Sequence, residues 1–309
     1  MRDAFPVKQH TGSTVDHRRS IEMRTTLRGK EKEVAIDTLG PVVVIGEKIN
    51  PTGRKKLAEA MAHRDFDYIR ELTDKQVAAM ADILDVNVGV PGLDDVALLP
   101  EVVKVVAEQA GLPLCIDTPN PKALAAALPF APGKALVNSV NGEERSLRAV
   151  LPLVKEHGAA VIGLTMDENG IPPAPEARLA VAERIAERAV RIGIPAEDVI
   201  IDPLVLTVGA DSSAASVTLR TIELVRRELG LSINLGASNV SFGLPDRHTL
   251  NQAFLALAIH SGANCLITDP TKLTATIRAT DLLLGRDPHA SRFIAHFRSR
   301  PRESREVAG

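Results

Sequence analysis

The chain has 309 residues, and its 37 Lys and Arg residues against 39 Asp and Glu residues give a formal net charge of −2. This balance predicts no basic surface for nucleic acid or anionic membranes, and the lack of Trp with a single Tyr leaves few aromatic surfaces on which bases could stack. No apolar stretch reaches the roughly 20 residues needed to span a bilayer, and the polar start lacks the apolar core of a secretory signal. We therefore expect a soluble, cytoplasmic protein.

The N-terminal region differs in character from the rest of the chain. Residues 1–22 are polar and show no period, which predicts a disordered or loosely docked arm. Residues 24–38 favour a small hairpin, because Arg28-Gly29-Lys30 is flanked by β-compatible residues. We expect residues 1–40 to form this arm and hairpin, and residues 41–309 to form one larger domain whose N-terminal strand ends the hairpin could cover.

Eight short apolar segments follow, and most of them end in an acid, an amide or a hydroxyl. They are residues 42–50, 83–87, 114–117, 136–139, 161–165, 199–202, 233–239 and 265–269. Helical periodicity separates them, as in residues 175–192 with alternating Glu and Arg. Continuous apolar strands that alternate with helices are typical of a parallel sheet, and eight such units predict a (β/α)8 TIM barrel. The C-terminal strand ends of that fold converge on one rim, where these polar side chains would line a pocket.

Two aspartates are the strongest candidates for binding a ligand in this pocket. Asp117 and Asp202 each end a wholly apolar strand, where a carboxylate can accept a pair of N–H donors from a heterocycle. Each aspartate alone is better explained by capping a helix or binding loop backbone. Their equivalent positions, together with the amides Asn138 and Asn239, favour a shared pocket that holds and polarises a ligand.

Other reactive residue types point to structural roles. Cys115 and Cys265 fall within predicted buried strands, so we expect them to behave as small core hydrophobes. The eight histidines lack the spacing of a zinc site, and we predict no metal bound by protein side chains. The sequence also lacks a local nucleophile elbow and a phosphate-binding Gly-rich loop with Lys.

Several motifs in the same order carry a family resemblance. They read Ile45-Gly-Glu-Lys-Ile-Asn50, Leu84-Asp-Val-Asn-Val-Gly89, Leu114-Cys-Ile-Asp-Thr118, Val137-Asn-Ser139, His157-Gly-Ala-Ala-Val-Ile-Gly-Leu-Thr-Met166, Ile201-Asp-Pro-Leu204 and Gly236-Ala-Ser-Asn-Val-Ser241. The chain from about Val42 to Leu284 resembles the pterin-binding superfamily, and in particular the methyltetrahydrofolate:corrinoid protein methyltransferases. The resemblance implies a pterin-binding TIM-barrel domain over residues 41–309.

The resemblance also implies roles for individual positions. Asp117, Asn138 and Asp202 match residues that hydrogen-bond the pterin ring, and Asn239 matches an asparagine that reaches toward N5. The further matching positions in the pocket and at its rim are Gly236, Ser238, Met166 and Arg247. Phe242 departs from the pattern, because the relatives carry a glutamine after the Ser-Asn-Val-Ser motif. This difference puts a side-chain amide contact from that loop in doubt.

The implied reaction moves the N5-methyl group of methyltetrahydrofolate to the Co(I) of a corrinoid, in one-carbon metabolism. We hypothesise that Asn239 donates a hydrogen bond to N5 and that a water network anchored on Asp202 and Asp117 supports it. The corrinoid is expected on a separate partner protein, because Asp246-Arg-His-Thr-Leu-Asn251 lacks the final Gly of a corrinoid-module motif. The family also implies a homodimer.

Two alternatives are weighed against this hypothesis. A dihydropteroate synthase would need a pyrophosphate site and basic residues around strands seven and eight, whereas strand eight here ends Leu266-Ile-Thr-Asp-Pro270 without the expected Arg-x-His. A non-catalytic folate-binding protein would not require Asn239. The methyltransferase hypothesis is favoured, and the sequence leaves open the pathway, the corrinoid partner, the direction of transfer and a methanopterin-type donor.

Overall fold

The computed structural model describes residues 23–300, and the predicted arm of residues 1–22 lies outside them. The predicted hairpin is confirmed: β1 (Arg24–Arg28) and β2 (Glu33–Asp37) pair antiparallel. The predicted (β/α)8 barrel is confirmed as a closed ring of eight parallel strands. Its strands are β3 (Val43–Ile49), β4 (Ile83–Val86), β5 (Leu114–Asp117), β6 (Leu136–Asn141), β7 (Ala160–Leu164), β8 (Val199–Asp202), β9 (Ser232–Gly236) and β10 (Cys265–Thr268).

Helices connect the strands and surround the ring. They are α1 (Lys55–Ala62), α2 (Phe66–Ala78), α3 (Asp95–Ala110), α4 (Pro121–Ala127), α5 (Glu144–Glu156), α6 (Pro175–Arg191), α7 (Ala214–Glu228), α8 (Arg247–Ser261) and α9 (Pro270–Leu283). One further helix, α10 (Ser291–Ser299), follows the barrel and was not predicted. It is held on by Arg292, whose guanidinium donates to both oxygens of Asp82 at 2.9 and 3.1 Å.

The order of strands around the ring places particular strand ends opposite each other. The closed order is β10-β3-β4-β5-β6-β7-β8-β9. In a ring of eight, β5 is therefore diametrically opposite β9, and β6 is opposite β10. We call the C-terminal end of this ring the mouth. Any molecule that bridges β5 and β9 spans the full width of the mouth.

The barrel interior is filled by alternate residues of each strand, because successive side chains of a strand point to opposite faces. An inner cluster includes Ile83, Cys115, Leu136 and Ile200, all fully buried. The residue two positions further along each of these strands points the same way but lies at the mouth. This parity brings Asp85, Asp117, Asn138 and Asp202 to the mouth of the barrel.

The hairpin closes the opposite end. Leu27 and Ile36 have no exposed surface and pack in the same inner cluster as the strand residues. The hydroxyl of Thr25 donates to the carbonyl of Glu197, and Arg28 pairs backbone to backbone with Lys134 at 3.0 Å in both directions. The predicted cover over the N-terminal strand ends is therefore present as an apolar plug.

Both cysteines are free and buried in this interior, as predicted. Burial raises the pKa of the Cys115 thiol, and the neighbouring Asp85 raises it further. Such thiols stay protonated and pack as hydrophobes. Within residues 23–300, no helix has the length and apolar character required to cross a membrane.

Candidate active site

Four polar side chains from neighbouring strands form the first half of the site. Asn87, just after β4, donates from Nδ2 to Oδ2 of Asp117 at 2.9 Å, and Asn138 donates from Nδ2 to Oδ1 of Asp85 at 3.4 Å. Asp85 is 2% exposed, and Asp117 and Asn138 are half-buried. The two predicted residues on β5 and β6 therefore lie beside each other at the mouth, together with Asp85, which the sequence did not single out.

The two carboxyl groups of this cluster are electrostatically unusual. Burial raises the pKa of Asp85 well above its usual range, and the nearby charge of Asp117 raises it further. Burial also raises the pKa of Asp117, while the hydrogen bond from Asn87 opposes the shift. Carboxyl groups in such a setting gain from a ligand that donates N–H groups to them, because those donors replace the water that burial removed.

Asp202 forms the second half of the site, at the end of β8. Its Oδ1 accepts the backbone N–H of Leu204 at 2.8 Å, and its Oδ2 accepts Nδ2 of Asn234 at 2.8 Å. Burial raises the pKa of Asp202 to about 6, although these hydrogen bonds act in the opposite direction. Oδ1 of Asn234 is buried and has no hydrogen-bond partner among the described residues. An unpaired buried acceptor of this kind suits a site that takes a ligand or water with N–H or O–H donors.

The alternative interpretation of these aspartates as helix caps applies to other residues. Asn120 caps α4, and Asp269 caps α9. Asp117 caps neither helix, and Asp202 bonds the loop backbone at Leu204 in addition to facing the mouth. The strand-end aspartates are thus left with acceptor capacity at the mouth.

Asn239 lies on the other side of the mouth, in a short 3₁₀ turn over Ala237–Ser241 that follows β9. Its side chain is exposed and forms no hydrogen bond within the described part of the chain. A Cβ atom placed on Gly236 would lie 3.2 Å from Nδ2 of Asn239, so the amide lies directly over the end of β9. The lack of a side chain at Gly236 makes room for this amide.

The remaining predicted positions lie at the rim. Arg247 begins α8 and donates from Nη2 to the carbonyl of Ser238 at 2.7 Å and from Nε to Oγ of Ser241 at 3.1 Å. It thereby braces the turn that carries Asn239. Met166 follows β7 and is half-buried, and its carbonyl accepts the N–H of Gly142 at 2.8 Å. Phe242 is 68% exposed at the rim.

A second cavity adjoins the mouth between the ends of β9, β10 and β3, and we call it the basic pocket. It has a volume of about 390 Å³, and its walls include Glu47, Lys48, Arg54, Ser238, Arg247, Asp269 and Lys272. Lys48 forms an ion pair with Asp269, and Arg54 donates to the carbonyl of Lys48 at 2.5 Å. Sequence reasoning missed this pocket, because its cations come from β3 and the loop after it and from the first turns of α8 and α9, which are distant in the chain.

Sequence reasoning also missed Asp85 and Asn234. Both residues follow an inward-facing strand residue by two positions, after Ile83 on β4 and after Ser232 on β9. The alternation of side chains along a strand was the signal that could have found them. The four predicted residues Asp117, Asn138, Asp202 and Asn239 all lie at the same end of the barrel.

Comparison with known sequences is consistent with this geometry. The family described as "Pterin binding enzyme" matches residues 46–269, which run from the middle of β3 to the residue before α9. The chain belongs to this family of pterin-binding enzymes.

Curated relatives indicate methyl transfer. The chain is 31% identical over 265 residues to the methylcorrinoid:tetrahydrofolate methyltransferase of Eubacterium limosum, a match that covers 83% of this chain and 96% of that protein. It is also 31% identical over 267 residues to the methionine synthase of Mycobacterium tuberculosis, which covers 82% of this chain but only 22% of the synthase. The chain is thus an enzyme of the pterin-binding family with methyltransferases among its relatives.

Solved structures share the fold. A Yersinia pestis DHPS with a pterine-sulfa conjugate aligns with a TM-score of 0.67 at 18% identity, and the alignment covers 85% of this chain and 99% of that one. The dihydropteroate synthase from Xanthomonas albilineans in complex with 7,8-dihydropteroate aligns with a TM-score of 0.60 at 22% identity, covering 84% and 98%. At these identities the likeness establishes the (β/α)8 fold alone.

Proposed function

We propose that this enzyme transfers a methyl group between N5 of tetrahydrofolate and the cobalt of a corrinoid carried by a partner protein. The observation that carries the proposal is that hydrogen-bond acceptors at the strand ends and one exposed amide lie on opposite sides of the same mouth. Asp117 and Asn138 lie on one side, and Asn239 lies on the side of β9. A reduced pterin has N–H donors at its pyrimidine end and N5 in its other ring, so one molecule would meet both sets.

The donor set fits a pterin substrate. The 2-amino-4-oxo pyrimidine end presents a row of N–H groups, and Asp85, Asp117 and Asp202 are carboxyl groups at the mouth whose pKa values are raised because burial removes their water. Carboxyl groups that accept N–H pairs from the ring fix its orientation. The orphaned Oδ1 of Asn234 provides one more acceptor near Asp202.

Asn239 is assigned the role of stabilising the negative charge that develops on N5 during methyl transfer. The N5–CH3 bond breaks with its electron pair left on N5, so N5 gains negative charge as the methyl group departs. An amide N–H aimed at N5 stabilises that charge, and a water held by Asp202 or Asp117 supplies the proton. The corrinoid supplies the cobalt centre that exchanges the methyl group. The exposure of Asn239 leaves room for a partner protein above it.

The direction of net transfer depends on the supply of substrates. The Eubacterium limosum relative is named for transfer from a methylcorrinoid to tetrahydrofolate. A catalyst lowers the same barrier in both directions, so the residues that stabilise N5 as it loses a methyl group also position it to receive one. Both directions belong to the proposed activity.

The test uses free cobalamin in place of the partner protein. The full chain is mixed with methyltetrahydrofolate and chemically reduced cobalamin, and the Co(I) absorbance is followed. Loss of that band with formation of methylcobalamin is expected. Tight folate binding with no change in the band would reject methyl transfer and favour a folate-binding protein.

One observation favours the alternative function, dihydropteroate synthase, enough to require a test. The basic pocket lies beside β9 and β10, strands seven and eight of the barrel, where that activity would need to bind pyrophosphate. Incubation with a dihydropterin pyrophosphate and p-aminobenzoate separates the two functions. We expect no pteroate, and its formation at a catalytic rate would favour the synthase.

A further inference from the structure

The basic pocket carries more positive charge than its own acids neutralise. Lys48 is paired with Asp269, and the half-buried Glu47 is the other acid in the wall. Arg247 donates only to the neutral oxygens of Ser238 and Ser241. Lys272 is exposed and forms no ion pair within residues 23–300. Arg247 and Lys272 are thus two cations at one cavity without a carboxylate partner.

The two acids in the wall, Glu47 and Asp269, are outnumbered by its four cations Lys48, Arg54, Arg247 and Lys272. Burial raises the pKa of Glu47, although the charges of Arg54, Lys48 and Arg247 oppose the shift. The pocket therefore attracts anions that enter from the mouth.

The ring order indicates which part of a folate reaches this pocket. The pyrimidine end of the pterin is assigned to Asp117 and Asn138 on β5 and β6, which are opposite β9 and β10. N5 is assigned to Asn239 beyond β9, and C6 is bonded directly to N5. C6 carries the p-aminobenzoyl group and then the glutamate. The substituent consequently leaves the mouth on the side of β9 and β10, where the basic pocket begins at Ser238.

We propose that the basic pocket binds the glutamate tail of the folate, with Arg247 and Lys272 contacting its carboxylates, and that the enzyme is selective for poly-γ-glutamyl folates. This inference rests on the proposed function, because it takes the pterin orientation from it. Each additional glutamate adds a carboxylate, and an exposed ion contact contributes about 1.5- to 5-fold in affinity. Two such contacts give the triglutamate roughly a 2- to 25-fold advantage over the monoglutamate.

Lys272 provides the sharpest variant, because its ammonium group holds no other described element in place. Lys122 is the matched control. Both lysines are exposed and lie in the first turn of a helix that begins with proline, α9 for Lys272 and α4 for Lys122. The α4 helix follows β5, on the opposite side of the mouth from β9. The substitutions Lys272→Glu and Lys122→Glu thus make the same charge change at two sides of one rim.

The experiment measures dissociation constants of monoglutamyl and triglutamyl methyltetrahydrofolate by titration calorimetry for the full chain and both variants. We expect the wild-type ratio of the two dissociation constants to be roughly 2- to 25-fold and to fall as salt is raised. The ratio should drop to about one in Lys272→Glu, because the new carboxylate repels the tail, and should persist in Lys122→Glu. A wild-type ratio of one, or a ratio that Lys272→Glu leaves unchanged, overturns the tail subsite.

Failure of this inference is distinguishable from failure of the proposed function. Methyl transfer to cobalamin with the monoglutamate is measured on the same wild-type preparation. Active transfer together with a ratio of one rejects the tail subsite alone. A chain that binds both folates but transfers no methyl group rejects the function, whatever the ratio.

Discussion

Replacement of Asp202 by asparagine is expected to make the protein more stable at neutral pH while weakening pterin binding. The carboxyl group is 6% exposed, and its pKa is raised to about 6 from an ordinary value of 3.8. The folded state therefore holds this proton more tightly than the unfolded state. Its contribution to stability is fully present below pH 3.8 and is lost as the pH rises through about 6. At pH 7.5 the buried charge costs about 3 kcal/mol, from roughly 1.4 kcal/mol for each pKa unit.

The substituted amide keeps the local hydrogen bonds. Its oxygen can accept the N–H of Leu204 as Oδ1 of Asp202 does at 2.8 Å. Its nitrogen faces the amide of Asn234, whose oxygen has no partner among the described residues and can turn to accept it. The turn gives Oδ1 of Asn234 a partner and takes one from its Nδ2, so the variant loses the charge while the number of unpaired groups on Asn234 stays the same. We expect most of the 3 kcal/mol to be recovered, which is on the order of 5 °C in Tm.

Thermal unfolding at pH 7.5 and pH 4 is the assay. The gain in Tm of Asp202→Asn over wild type should be present at pH 7.5 and nearly absent at pH 4. Asp211→Asn is the control: hydrogen bonds from Ser213 lower the pKa of the exposed Asp211, so its loss should not stabilise. Pterin affinity of Asp202→Asn should fall about 10- to 100-fold, as expected for hydrogen bonds to a charged acceptor. A less stable variant at pH 7.5, or a gain independent of pH, would refute the reasoning.

Three further changes test the site and the plug. Asn239→Ala should lower the rate of methyl transfer about 10²- to 10³-fold with an unchanged Tm, because the side chain is exposed; a normal turnover number would remove its role. Gly236→Ala adds a Cβ 3.2 Å from the Asn239 amide and should lower kcat for methyl transfer about tenfold while KM for the folate stays nearly the same. Steady-state kinetics that gave wild-type values of both kcat and KM would contradict this expectation. Leu27→Ala leaves a cavity in the fully buried plug and should cost about 2–5 kcal/mol in urea denaturation; a cost below 1 kcal/mol would show that the plug is not packed.

The sequence was sufficient for the fold because the information is local. Each barrel strand is a short apolar run, and each run is followed by a helical period or a turn. Asp117 and Asp202 were recognisable for the same reason, since a lone carboxylate after an apolar run stands out. The hairpin was recognisable from Arg28-Gly29-Lys30 between β-compatible residues.

The features that the sequence did not predict depend on the direction in which side chains point and on which distant segments meet in the fold. Asp85 lies inside its strand. Its position at the mouth follows only once it is known that Ile83, two residues earlier, points into a closed barrel, because alternate residues of a strand point the same way. The basic pocket combines Lys48 from β3, Arg247 from α8 and Lys272 from α9, so no short window of sequence contains it. The α10 helix is fixed by Arg292 on Asp82, a pairing of residues that are far apart in the chain.

The packed interior of the barrel, closed at its lower end by Leu27 and Ile36, has a kinetic consequence, because among the described residues it leaves the site one opening, the mouth. Folate has no rear entrance, so it must be seated before a second protein comes to rest on the same opening, and the spent folate leaves only after that protein has moved away. We expect a compulsory order of addition with folate first. In stopped-flow mixing, the rate of folate binding should fall as the concentration of the partner protein rises. A binding rate that does not depend on the partner concentration would indicate a second route to the site.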